Sequence, residues 1–275
     1  MKYLAVLFMT VLFMGTQLVD ARTVSKQIQA VPDWDTALQG EQRSAQNKAR
    51  DGFRHPRQTL EFFGFKPDMT VVELSPGGGW YTEILAPLLQ AEGHYYAAHS
   101  SLSESGAYYR RSLGNFLLKL GSDEATYNKV IVTPLRPPVQ VTVAPEGTAD
   151  LVLAFRNIHS WMRADALDAV LEASFKALKP GGHLGVVQHR SKMSISVEQM
   201  KKNGYVTEQY VIDAAQKAGF ELVERSSINA NPKDPADDLV WRLPPSLRGD
   251  ENRREEYQAI GESDRMTLLF ARPKT

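Results

Sequence analysis

The sequence predicts an α/β protein: a mostly parallel seven-stranded sheet with an antiparallel last strand and helices on both faces. Three observations predict it. Short Val/Leu-rich runs alternate with stretches of helical periodicity from residue 69 onward, as in buried parallel sheets covered by helices. A glycine-rich turn, Ser75-Pro-Gly-Gly-Gly79, follows the first run directly, at the edge where open α/β sheets bind ligands. The final run, 266–271, has no tight crossover helix before it, so it most simply returns antiparallel.

The elements follow in order. Residues 22–52 read as a polar, partly helical extension, and Pro56 breaks the chain at His55 before opening a short helix capped by Gly64. Strands are expected at 69–74, 94–99, 130–133, 150–155, 183–188, 220–226 and 266–271, with an extra short strand at 139–143 after the bend of Pro134 to Pro138. Helices are expected at 80–89, 106–120, 164–178 and 207–218; in the third, Leu167, Val170, Leu171, Ser174, Phe175 and Leu178 share one face. Residues 228–264, rich in Pro, Asn and Asp, leave the ligand edge of the sheet and suit an irregular cover over a pocket. The main domain is therefore expected over 53–275.

Composition narrows the function classes. With 275 residues, 43% of them hydrophobic, the chain can bury a large core. Lys+Arg and Asp+Glu both number 32, which argues against a nucleic-acid partner. There is no cysteine, so disulfides, thiolate metal sites and a thiol nucleophile are excluded. The histidines lack metal-ligand spacing, and no metal site is expected. Lys2 precedes an apolar run from Leu4 to about Leu18, then Val19-Asp20-Ala21. That run is short for a membrane span and reads as a signal peptide, residues 1–21, cleaved after Ala21, with no stable membrane insertion afterwards. An uncleaved anchor and a buried helix are the alternatives. A periplasmic or secreted location is expected.

Residues 71–82 read Val-Val-Glu-Leu-Ser-Pro-Gly-Gly-Gly-Trp-Tyr-Thr. Glycines let the backbone approach a ligand closely, and a dinucleotide, a phosphate or S-adenosylmethionine would suit such a turn. The segment resembles the first-strand motif of class I S-adenosylmethionine-dependent methyltransferases, an acid followed by Gly-x-Gly-x-Gly: here Glu73, Ser75, Gly77 and Gly79. Ala149-Asp150-Leu-Val-Leu-Ala-Phe-Arg156-Asn157-Ile-His159-Ser-Trp161 resembles that family's fourth-strand motif, and Leu178-Lys-Pro-Gly-Gly182 its link into the fifth strand. Arg54-His-Pro56, Pro-Gly-Gly-Gly-Trp-Tyr and Asp264-Arg-Met-Thr-Leu-Leu-Phe resemble, more narrowly, a bacterial group of exported methyltransferase-like proteins. The resemblance implies a Rossmann-like class I methyltransferase fold and S-adenosyl-L-methionine as cofactor. It implies methyl transfer to a small molecule, and it names no acceptor.

Two positions depart from the family. Ser75 stands where it has a first glycine, and the second strand ends Ala97-Ala-His99-Ser-Ser where it usually carries an acid for the ribose hydroxyls. His99 offers one hydrogen bond there, and Glu104 is the next acid. The cofactor-binding candidates are thus Glu73, Ser75, Gly77, Gly79, Tyr81 and His99, with Arg54 and His55 as binders of a carboxylate such as methionine's. Asn157 and His159 follow the fourth strand as catalytic candidates, His159 as a general base near neutral pH. His189-Arg190 ends the fifth strand at the same edge. A non-catalytic exported binding protein on the same fold is the competing expectation. A nicotinamide or flavin enzyme is disfavoured: its fingerprint needs Gly-x-Gly-x-x-Gly and an acid near position 99.

Overall fold

The computed structural model describes residues 33–103 and 106–274. The expected signal peptide, the first part of the extension and Glu104 lie outside the described residues. Seven strands form one sheet: β1 (Thr70–Leu74), β2 (His94–His99), β3 (Val130–Pro134), β4 (Ala149–Phe155), β5 (Leu178–His189), β6 (Glu221–Ser226) and β7 (Arg265–Ala271). Their order is β3-β2-β1-β4-β5-β7-β6. The β1–β2, β1–β4, β2–β3 and β4–β5 pairs are parallel, and β7 runs antiparallel to both neighbours. The topology reverses between β1 and β4, so a crevice opens beyond their carboxyl ends.

The helices are α1 (Trp34–Gln39), α2 (Ala45–Lys48), α3 (Asp51–Arg54), α4 (Pro56–Phe62), α5 (Thr82–Leu89), α6 (Ala107–Ser122), α7 (Glu124–Tyr127), α8 (Ile158–Arg163), α9 (Leu167–Ala177), α10 (Val197–Asn203), α11 (Glu208–Lys217) and α12 (Arg254–Ile260). They make two layers. Val72, Leu74, Val152, Ala154, Leu184 and Val186 pack with α8 to α11 on one face of the sheet. Val71, Leu151, Leu153, Phe155 and Val187 pack with α1 and α4 to α7 on the other. Successive strand residues point to opposite faces, and both faces are buried. That is why the central strands read as continuous apolar runs rather than alternating ones.

Some expected boundaries move. No strand forms at 139–143; Arg136 and Gln140 make an isolated bridge, and Val143 is buried without joining the sheet. The helix expected at 164–178 starts at Leu167 because Asp165 takes a left-handed conformation (φ 50°) after α8. Helix α10, unforeseen, is announced by a capping box of Ser196 and Gln199. The fifth strand begins five residues early, because Gly181 N–H and Gly182 C=O pair with Arg272.

The segment before β1 is docked on the domain. Trp34 and Ala37 are buried in the α5-side core. Arg43 holds Asp51 through two 2.7 Å bonds, and Asn47 reaches both oxygens of Glu83 at 2.9 Å. Asp150, at the opposite edge from the crevice, accepts from Thr70 N–H at 2.8 Å and Lys179 Nζ at 2.7 Å, pinning three strands together.

Candidate functional site

A cleft of about 1160 Å³ opens at the carboxyl ends of β1 and β4. The glycine turn forms one wall, and residues 239–249, within the expected cover, form another. That wall is pinned where Tyr257 Oη donates to Asp238 at 2.7 Å and Arg163 lies over Trp241 at 5.5 Å.

Gly77 and Gly78 line the cleft, and a Cβ built on either meets no protein atom within 4 Å. Glycine at these two positions leaves open a space that a side chain would occupy. Gly77 also needs its φ of +60°. Gly79 is different: it is off the lining, and a Cβ there would come within 3.2 Å of Phe116. Ser75, in place of the family's first glycine, adopts φ 51°, and Arg156 just past β4 adopts φ 64°. Both strands flanking the crevice therefore end in a left-handed residue, a conformation costing roughly 1 kcal/mol outside glycine. Asn157 ties the two ends together, its Nδ2 donating to Leu74 O at 3.1 Å and Ser75 O at 3.2 Å.

Glu73 lies beneath the turn. Its Oε2 accepts from Thr82 Oγ1 at 3.1 Å and from the Tyr95 hydroxyl. Burial pushes its pKa up to about 7, against those two hydrogen bonds. It borders the cleft but is only 3% exposed, and its recorded bonds are to hydroxyls of β2 and α5. His99 is also committed internally. Its Nδ1 accepts from Ser100 N–H at 2.8 Å, so the proton sits on Nε2 and is donated to Gly77 O at 3.0 Å. His99 thus braces the glycine turn, and burial lowers its pKa.

Tyr81 lines the cleft, stacked on Phe155 at 3.6 Å, and burial pushes its phenol up to about 12. His159 is 8% exposed on the cleft wall. Gln188 Nε2 must donate to Gly204 O at 3.1 Å and then also meets His159 Nδ1 at 3.2 Å. His159 Nδ1 is therefore an acceptor, and the ring proton belongs on Nε2. Burial, with Arg163 nearby, lowers its pKa to about 4. In this arrangement Nδ1 is engaged by Gln188 and the ring is a neutral donor, which argues against the general base expected near neutral pH. His189 bonds Ser263 Oγ at 2.5 Å, and burial beside His159 and Arg156 holds it well below its ordinary pKa.

Arg54 lines the cleft, while His55, with φ 40°, does not. Arg54 Nε binds Glu262 at 3.0 and 3.2 Å, and Arg50 Nε and Arg265 Nη1 bind the same carboxylate at 2.7 and 3.1 Å. Burial would raise the Glu262 pKa, but the surrounding guanidiniums, Arg54 and Arg265 foremost, hold it at about 2. Arg50, Arg156, Glu262 and Ser263 line the cleft and were not singled out from sequence. Arg156 alone carried a signal, as the first residue beyond the fourth strand. Arg50 and Glu262 lie more than two hundred positions apart, and only folding joins them.

No protein-family model matches the chain, and no curated protein matches it. Solved structures match its fold. A SAM-dependent methyltransferase from Aquifex aeolicus is 16% identical, with 82% of this chain and 93% of that one covered and a TM-score of 0.53. The [4+2]-cyclase SpnF is 14% identical over 86% of both chains, with a TM-score of 0.56. A SAM-dependent methyltransferase from Methanosarcina mazei is 10% identical over 78% of this chain and 97% of that one, with a TM-score of 0.51. The chain has the Rossmann-like class I methyltransferase fold. The presence of a cyclase among these structures illustrates that a fold does not fix a reaction.

Proposed function

We propose that this protein transfers a methyl group from S-adenosyl-L-methionine to a small molecule. The observation that carries the reading is the open space over Gly77 and Gly78 at the switch point of this fold. When bound, S-adenosylmethionine supplies a methyl activated on a sulfonium. The glycine turn would hold the cofactor, while Tyr81, Phe155, Asn157 and His159 would wall the reacting centre and orient the acceptor. Alignment of nucleophile and methyl is the main contribution asked of such a site.

Gly77 and Gly78 leave room for the cofactor, whereas His99, at the position where the family it resembles carries a ribose-binding acid, has both ring nitrogens engaged. That mismatch favours a second reading, a non-catalytic binding protein on the same fold. The N-terminal segment supports placing either protein outside the cytoplasm, periplasmic or secreted, within the exported bacterial group it resembles. Calorimetric titration with S-adenosylhomocysteine decides between the readings. Saturable binding, with turnover of S-adenosylmethionine in a pool of extracted small molecules, supports methyl transfer. No binding at millimolar ligand sinks it.

A further inference from the structure

The arginine cluster has more positive charge than its own partner answers. Arg50, Arg54, Arg156 and Arg265 gather around one carboxylate, Glu262. Arg54 is 3% exposed and lines the cleft, yet its Nη2 finds no hydrogen-bond partner; Arg50 Nη2 is buried and equally unmet. Among the described residues Arg156 has no recorded side-chain hydrogen bond and no ion pair. It leaves β4 through a strained backbone, between Phe155 and Asn157, which also line the cleft. The nearby histidines do not relieve the surplus or add to it, since His159 and His189 are held neutral. The Tyr81–Phe155 stack forms part of the same cleft wall, and low-dielectric walls of this kind focus the field of cations that line a cleft.

We propose that Arg50, Arg54 and Arg156 form an oxyanion subsite, and that the molecule acted upon carries a carboxylate or a phosphate that docks there. The word "acted upon" rests on the methyl-transfer reading; the anion subsite does not. Burying a guanidinium without a full set of acceptors is costly, and planar forks recognise carboxylate and phosphate in pairs of parallel bonds. The cofactor does not relieve the surplus. S-adenosylmethionine carries a sulfonium, an ammonium and one carboxylate, so its arrival leaves the cleft more positive than before. A second, anionic molecule restores the balance. The same field favours the deprotonated form of an acidic nucleophile, in a cleft where His159 is not available as a base.

The test is calorimetric titration of the full chain with inorganic phosphate and, separately, benzoate, each with and without saturating S-adenosylhomocysteine. The expected result is saturable binding of at least one anion, with affinity changed less than about twofold by S-adenosylhomocysteine and weakened about tenfold or more in Arg156→Gln. Which probe binds distinguishes a phosphate from a carboxylate. Arg156→Lys keeps the charge and loses the fork, so it should fall between the two, and thermal unfolding of both variants checks that they fold. Absence of binding by either anion below about 10 mM overturns the subsite, as does an unchanged affinity in folded Arg156→Gln. Mutual exclusion with S-adenosylhomocysteine also overturns it, since the arginines would then serve the cofactor's own carboxylate. If the anion binds through Arg156 while S-adenosylhomocysteine does not bind at all, the subsite stands and the methyl-transfer reading falls.

Discussion

Glu73 is an acid at the end of β1 that burial holds near neutrality, and its replacement by glutamine has a calculable consequence. Its carboxyl titrates at about 7 in the fold against 4.5 ordinarily. Between those values the folded state binds the proton and the unfolded chain does not, so stability falls as pH rises from about 4.5 to 7 and the loss is complete above. A gap of 2.5 pH units corresponds to about 3 kcal/mol, of which about 2 to 3 kcal/mol accrues between about pH 5 and pH 8. Glutamine keeps a carbonyl oxygen for the hydroxyls of Tyr95 and Thr82 but never ionises. Urea unfolding of wild type and Glu73→Gln across that range yields a difference curve that cancels every other titrating group. The variant should gain on the wild type by about 2 kcal/mol or more toward pH 8 and lose the advantage at pH 5. A difference independent of pH would refute the reasoning, because it would mean that Glu73 is ionised throughout.

Gly78→Ala adds a Cβ that touches no protein atom yet projects toward the cleft lining. Stability should stay within about 0.5 kcal/mol by thermal unfolding, while S-adenosylhomocysteine affinity drops about tenfold or more; equal affinity would place the ligand away from the turn. Glu262→Gln leaves the guanidiniums without their carboxylate and should cost about 3–5 kcal/mol in denaturant unfolding. Because the Glu262 pKa is depressed to about 2, its contribution is present above about pH 4.5 and lost as pH falls toward 2. The variant's acid limb should therefore be flatter. Nuclear magnetic resonance of labelled histidine should show His159 neutral through the physiological range and titrating at about 4. A depressed histidine pKa removes stability as pH falls below about 6.5; an inflection near 6.5 in the His159 resonance would restore it as a candidate base.

The central sheet was legible because its strands are buried on both faces and read as apolar runs, and the glycine turn because φ +60° at Gly77 restricts residue choice. The cover segment showed in composition, and residues 239–249 do line the cleft. Residue roles were harder to read. A hydrogen-bonding partner need not be near in sequence: Glu73 pairs with Tyr95, His159 with Gln188, and Arg54 with Glu262. Nothing local distinguishes an imidazole with a free nitrogen from one whose nitrogens are both engaged, and His99 is the case in point.

The sequence by itself determined the alternation of elements, the returning last strand and the glycine turn at the ligand edge, because each is set by period, turn chemistry and chain order. Only the tertiary structure decided which cations share one carboxylate and which nitrogen of His159 holds the proton. It also decided that His99 braces the turn. Those outcomes depend on long-range electrostatics and on which acceptors lie within about 3 Å, and neither is encoded in local spacing.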